Sequence, residues 1–332
     1  MGRKREIIVY DDYIKIHSKT FKIAMSATIA IILSNYMGLE FGVTSGIIAI
    51  LSIQDTKREA LLVAGRRIMA STMAIILSFM LYTLIGNNPM VFGLFLLIFI
   101  QLTNISKTTE GMVIGAVLST HLLISTNINI SWIINEAKLT IMGIGVAMIF
   151  NLYTASLEED FEKNKGKIEE QYRLILSDMA ASLVTQAVPI YEQNVLLTVE
   201  KLIVNTKLMA QKINNNNLFK SNDYYVSYID MRTLQLDAIK RMKRHFSRVY
   251  MTYEQTTILS EFTNDVAINI HEDNDCIELI NKLTLLRKNY RMMELPKNRN
   301  EFEDRALLFQ FLNDLEDFLI IKKEFKEFFR NL

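Results

Sequence analysis

The chain has 332 residues, half of them hydrophobic, with a net charge of +1 and a single cysteine. Residues 22–154 hold 12 of the 73 Asp, Glu, Lys and Arg residues, whereas residues 155–332 hold 53. That division excludes a single soluble domain, an unbroken series of membrane spans and a disordered chain, and the net charge and lone cysteine exclude a bulk-charge polyanion binder, a disulfide scaffold and a multi-cysteine metal site. The apolar stretch from Phe21 lacks a small-residue cleavage site and is followed by more of its kind, so no cleavable signal peptide is expected. Three segments follow from this: a cytoplasmic N-terminal stretch (1–20), a membrane domain (21–154) and a cytoplasmic domain (155–332).

A spanning helix needs about 20 mostly apolar residues. The first span reads as Phe21–Met37, closed by the turn Gly38-Leu39-Glu40. The second runs Phe41–Ile53 and ends at Gln54-Asp55-Thr56-Lys57-Arg58-Glu59. The third runs from Ala60 to Ile85, and the turn Gly86-Asn87-Asn88-Pro89 places Pro89 in the first turn of the fourth, Met90–Leu102. The fifth covers Gly111–Ser125 and the sixth Trp132–Tyr153, with a loop at Thr126–Ser131. Arg3, Lys4, Arg5, Lys15, Lys19, Lys22, Lys57, Arg58, Arg66, Arg67 and Lys107 all fall on one side, and the opposite loops contain no Lys or Arg. The positive-inside rule then puts both termini in the cytoplasm. The second and fifth spans are short and carry Gly42, Gly46, Gly111 and Gly115. They are compatible with a 3+3 inverted repeat around a transport pathway, and equally with short helices in a thin or tilted bilayer.

Several stretches carry a family resemblance: Gly38-Leu39-Glu40-Phe41, Thr44 through Gln54, Thr56-Lys57-Arg58, Arg67-Ile68, Pro89 through Leu96, Glu110-Gly111, His121-Leu122-Leu123, Asn135-Glu136, Gly143 through Ala147, and Asn151-Leu152-Tyr153. In order and spacing, residues 15–160 resemble the bacterial aromatic acid exporter family, part of the wider fusaric-acid-resistance superfamily. The resemblance implies efflux of organic, often aromatic, acids and a helical cytoplasmic C-terminal domain. Plant relatives of the superfamily are malate-permeable anion channels.

Charged groups inside a membrane are functional candidates because their desolvation is costly. Arg66 and Arg67 point about 100° apart on a helix, so at most one faces a pathway while the other can snorkel to headgroups. Arg67 stands where the resembled family has its arginine and is the favoured cation for an organic carboxylate, which a guanidinium can grip with two bonds. The other reading of both is a membrane-face anchor. Lys57 and Arg58 could draw anions to the inner mouth. His121 could exchange the coupling proton, or could be a neutral histidine bonded to a neighbouring helix. Glu136 could be a protonatable gate, or an interfacial residue beside Trp132; Lys138, two positions on, lies on a different face. Gln101 and Asn104 are weak pore-lining candidates.

The second half reads as helices. Ile168, Tyr172, Ile175, Met179 and Leu183 form an amphipathic stripe, followed by a break at Pro189, a stripe through Val195, Val199, Leu202 and Met209, and a polar loop at Asn214–Asn217. Helices are expected over Tyr224–Tyr250, Leu259–Ile270 and Cys276–Met293. After a break at Pro296–Asn300, a last helix carries Leu308, Phe311, Leu315, Phe318, Phe325 and Phe329. No phosphate loop, paired-histidine or paired-cysteine motif, or nucleophile elbow occurs, so neither a cofactor nor an enzyme is expected. His271-Glu272-Asp273 could bind a metal but fits a solvated helix end, and Cys276 reads as an inert thiol. Lys240, Arg244 and Arg248 share a face that could meet headgroups or be balanced by acids. Nucleic acid is not an expected partner, since this half has 25 basic and 28 acidic residues. The expected fold is all-α, a six-helix transmembrane bundle followed by a cytoplasmic helical bundle. The expected function is export of organic acids across the plasma membrane by a homo-oligomer, most simply a dimer in contact with lipid. The alternatives are a passive anion channel gated by the cytoplasmic domain and a non-transporting scaffold or sensor.

Overall fold

The computed structural model describes residues 2–125, 129–153, 157–185, 192–217, 223–246 and 254–330, with side chains at all of these except 2–18, 192–193 and 246. Among the described residues the protein is all-α, with no strand. It divides into two compact units: Met1–Ala155 with Asn215–Phe219, and Ser156–Asn214 with Lys220–Leu332. The side chains of Arg3, Lys4, Arg5 and Lys15, and the positions Thr126, Pro189, Arg248 and Tyr250, lie outside the described residues.

The first unit contains α1 (Gly2–Tyr36), α2 (Val43–Ser52), α3 (Lys57–Ile85), α4 (Pro89–Ile105), a 3-10 turn (Thr109–Gly111), α5 (Met112–Ile124) and α6 (Ile130–Leu152). The expected first span is the end of a longer helix, because no Gly or Pro interrupts residues 3–36. That helix stops at Gly38, whose φ of 68° lets Leu39 N donate to Ser34 O and Gly38 N to Asn35 O. Thr56 caps α3 by accepting from Glu59 N at 3.4 Å. Asn88 caps α4, with Pro89 in its first turn.

Packing in this unit runs opposite to that of a soluble bundle. On α3 the buried positions are mostly small or polar, among them Ala60, Arg67, Ala70, Ser71, Ala74 and Ser78. Leu61, Leu62, Met69, Ile76, Met80 and Leu84 point outward. Small residues bring helix backbones close, and an apolar exterior suits a hydrocarbon solvent. Close approach is literal at two glycines. A Cβ on Gly115 would stand 2.4 Å from Phe99, and one on Gly143 would stand 2.5 Å from the Ser45 carbonyl. Helices α3 and α6 are long and apolar enough to cross a membrane alone, whereas α2, α4 and residues 109–124 form shorter apolar helices.

The second unit contains α7 (Glu158–Thr185), α8 (Glu192–Asn216), α9 (Tyr224–Phe246), α10 (Glu254–Ile268), α11 (Ile277–Met292) and α12 (Arg299–Arg330). Helix α9 packs on α12, and α7 on α10. The α7 stripe Ile168, Tyr172, Ile175, Met179 and Leu183 is buried in one core with Leu308, Phe311, Leu315 and Phe318 of α12. On α8 the buried face is Val199, Ile203, Ala210 and Ile213, with Val195 and Leu202 at its margin, which rotates the expected stripe slightly. The expected loop at Asn214–Asn217 is largely helix, since α8 continues to Asn216 and Asn214 Nδ2 donates to Asp223 Oδ1 at 3.3 Å.

Candidate functional site

The first unit holds two buried polar clusters, one at each end of α2. At its start, Thr44 meets His121 of α5, which in turn meets Glu136 of α6. Glu136 is fully buried and His121 is 6% exposed. His121 Nδ1 lies 2.9 Å from Glu136 Oε2, and His121 Nε2 lies 3.1 Å from Thr44 Oγ1. The other oxygen of Glu136 accepts from Asn135 Nδ2 at 3.2 Å, and Asn135 Nδ2 also donates to Glu40 O. Phe41 stacks flat on the imidazole, with centroids 4.2 Å apart and planes within 6°. Its backbone is left-handed (φ 57°), an uncommon conformation for a bulky residue. Glu136 is therefore a partner of His121 rather than an interfacial neighbour of Trp132, while Lys138 is exposed.

The chemistry of this pair follows from the distances. A nitrogen–oxygen contact of 2.9 Å is a hydrogen bond, donated by the imidazole N–H or by a neutral carboxylic acid. The pair is net neutral as imidazolium with carboxylate or as imidazole with carboxylic acid, and carries one negative charge as neutral imidazole with carboxylate. A proton gained or lost changes the charge of a buried site by one, which a low-dielectric interior penalises strongly. Thr44 can accept from an imidazolium N–H or donate to a neutral ring nitrogen, so it serves both states.

At the other end of α2 lies Arg67, 6% exposed and ten residues into α3. Its Nη1 donates to Ser52 Oγ at 2.8 Å and its Nε to the Glu110 carbonyl at 3.2 Å. The Ser52 carbonyl accepts from Asn151 Nδ2 at 2.9 Å, and Asn151 Oδ1 accepts from Gln54 N. Arg66 is exposed and pairs with Glu110 at 2.5 Å. Arg58, Gln101 and Asn104 are exposed and Lys57 is half-buried; none of these four joins either cluster. Asp55, in the stretch that ends the second expected span, accepts from Lys19 Nζ at 2.7 Å. Thr44, Phe41, Ser52 and Asn151 received no role from the sequence; the signal of Thr44, Ser52 and Asn151 is the rarity of polar groups inside apolar helices, and Phe41 carries none.

The second unit buries charge as well. Arg232 is 1% exposed; its Nε donates to Tyr228 Oη (2.9 Å), its Nη1 to Gln235 Oε1 (2.8 Å) and its Nη2 to Glu169 Oε1. Glu272 accepts from Lys165 and from Tyr224, which takes it out of the expected metal reading. Cys276 is buried, and that burial pushes its thiol up to about 11, so it stays protonated at neutral pH. In the basic stretch of α9, Lys240 pairs with Glu200, and Arg241 with Asp314 and Asp317.

Lys322 of α12 is 2% exposed, and its Nζ has no hydrogen-bond partner among the described residues. Burial, with Arg232 and Lys326 adding repulsion, lowers its pKa to about 7. Above that pH the folded protein holds a neutral amine where the unfolded chain holds an ammonium. Folding then releases a proton, and stability rises between about pH 7 and the ordinary lysine value, by at most ~1.4 kcal/mol per pH unit. Lys322→Met should flatten that rise and stabilise the unit at pH 7, measurable as hydrogen exchange of α9 and α12 amides at two pH values.

With this geometry in place, comparison with known proteins is informative. Residues 14–154 match the model "Aromatic acid exporter family member 1". Residues 158–323 match the aromatic acid exporter C-terminal domain. The chain belongs to the aromatic acid exporter family. The chain is similar to protein YqjA of Bacillus subtilis (strain 168), 34% identical over 312 residues that make up 94% of this chain and 97% of YqjA. A crystal structure from Clostridium difficile 630, of a protein described as a membrane protein, is 25% identical and covers 50% of this chain and 98% of its own, with a TM-score of 0.45. Family membership and the apolar first unit make this exporter-family chain a membrane protein.

Proposed function

We propose that this protein exports organic acids, most simply aromatic ones, across the bacterial plasma membrane in exchange for protons. In this reading the first unit crosses the bilayer six times, with both termini in the cytoplasm. The observation that carries the proposal is the His121–Glu136 pair, two ionisable groups hydrogen-bonded to each other and buried in a bundle whose outer faces are apolar. Arg67 is the substrate cation. Ser52 and Glu110 occupy its Nη1 and Nε, and Nη2 has no hydrogen-bond partner among the described residues, so it is placed to donate to a carboxylate. Lys57 and Arg58 concentrate anions at the inner mouth. A thin six-helix bundle favours a two-fold dimer with the pathway near the interface.

The test is flux in proteoliposomes across a panel of carboxylates, with and without an imposed pH gradient. One charge-assisted hydrogen bond contributes roughly 1.5–3 kcal/mol. Arg67→Ala should therefore cut the transport of carboxylates by about 10- to 100-fold with insertion intact, and Arg67→Lys should retain part of it because it keeps the charge but loses the planar fork. Wild-type flux in Arg67→Ala would return this residue to a membrane-face anchor. Voltage-driven current indifferent to the pH gradient would replace the exporter with a channel, and no flux at all would favour a scaffold.

A further inference from the structure

The second unit contains a cavity of about 340 Å³ between the bend at residues 272–275 and the C-terminal turns of α12. That volume falls within the ~300–1,000 Å³ range typical of small-molecule sites. One wall is aromatic: the Tyr224 ring lies 5.7 Å from Phe325 and 5.3 Å from Phe329, and the two phenylalanines are 4.9 Å apart. All three rings line the cavity, with Tyr224 and Phe329 half-buried and Phe325 buried, and such rings favour stacked or edge-on contact with a further aromatic group.

The charges around the cavity are arranged unusually. Lys326 and Arg330 stand four residues apart on α12, so two like charges are neighbours on one face. Such a pair repels, and neither has an ion-pair partner among the described residues. Lys326 and Arg330 line the cavity. Other charges there are already committed: Glu272 to Lys165 and Tyr224, and Lys323 to Glu327 at 3.6 Å. Asp273 and Asp275 remain on the opposite wall; Asp275 Oδ1 accepts from Ile277 N at 3.1 Å, and neither carboxylate forms an ion pair with Lys326 or Arg330 among the described residues. Opposite charges thus face one cavity without touching, beside an aromatic wall.

We infer that this cavity binds a small aromatic zwitterion of the amino-acid type. Its carboxylate meets Lys326 and Arg330, its ammonium meets Asp273 and Asp275, and its ring packs against Tyr224, Phe325 and Phe329. A plain carboxylate would satisfy the cations but leave the acidic wall opposed to it, and a plain amine would do the reverse. The site is separate from Arg67 and His121 and does not depend on the transport reading.

The full chain in lipid nanodiscs is titrated by calorimetry with L-phenylalanine, with 3-phenylpropionate, which lacks the ammonium, and with phenethylamine, which lacks the carboxylate. L-phenylalanine should bind, and each truncated analogue should bind at least about tenfold more weakly. The double variant Lys326→Gln, Arg330→Gln should lose that tenfold for L-phenylalanine and bind phenethylamine unchanged, so that phenethylamine itself reports an intact cavity. Asp273→Asn should weaken L-phenylalanine and phenethylamine but not 3-phenylpropionate. Arg67→Ala should bind all three as wild type does. The inference is overturned if L-phenylalanine gives no binding at millimolar concentration, if 3-phenylpropionate binds as tightly, or if Arg67→Ala abolishes binding.

Discussion

Glu136→Gln should reduce pH-gradient-driven efflux to background while substrate counterflow persists. The amide has nearly the shape of the carboxyl group. It can accept from a His121 Nδ1–H, or donate to an unprotonated Nδ1, across the same 2.9 Å contact, so the helices should keep their packing. It cannot take up or release a proton, and a neutral amide leaves an imidazolium without its counter-charge in a site where the carboxylate is fully buried. His121→Gln should have the same phenotype, because it too removes one of the two groups that exchange the proton in the proposed mechanism. Thr44→Val is milder: it removes one hydrogen bond of roughly 1 kcal/mol and should slow efflux without uncoupling it. Counterflow and gradient-driven accumulation are measured in the same vesicles. Full accumulation by Glu136→Gln would make the pair a packing element.

The largest effect on stability is expected at Glu169. Glu169→Leu leaves the guanidinium of Arg232 buried beside Tyr228 and Gln235 with no anion, in a core that already contains the unpartnered Lys322. Breaking a buried pair from one side costs about 3–5 kcal/mol. Amide exchange in α7 and α9 should therefore accelerate by about two to three and a half orders of magnitude. The double variant Glu169→Leu, Arg232→Met should recover most of the loss, since an apolar pair of similar volume avoids both desolvation penalties. Equal exchange in the single and double variants would mean that the loss comes from packing around α7 rather than from the orphaned charge.

The all-helical fold was legible because both solvents leave a pattern. Phe21–Met37 and its successors are apolar all round, whereas Ile168, Tyr172, Ile175, Met179 and Leu183 repeat at helical spacing and are all buried. The membrane site was legible only as separate residues. His121 and Glu136 each stood out as ionisable groups in apolar sequence, but their contact spans 15 residues and a loop, and depends on how α5 and α6 pack. Helical geometry allowed only one of Arg66 and Arg67 to face inward, and Arg67 is the buried one. In the second unit, counting charged residues as solvent-facing hid Arg232, Glu169 and Lys322, because periodicity marks which face is inward and not which polar groups find partners there.

Helix α2 has ten residues, and Thr44 and Ser52 near its ends are eight positions apart, or about 12 Å of helical rise. Set along the normal of a bilayer with ~30 Å of hydrocarbon, that separation is a sizeable fraction of the insulating layer. The proton couple and the guanidinium would then sit at different electrical depths. A full charge crossing the whole field gains roughly 2.3 kcal/mol at 100 mV, so one moved between the two clusters would gain about 1 kcal/mol. In the orientation and mechanism proposed above, a potential negative inside would pull a proton from the His121 end inward and drive an anion at Arg67 outward, so voltage and the proton gradient would push export in the same direction.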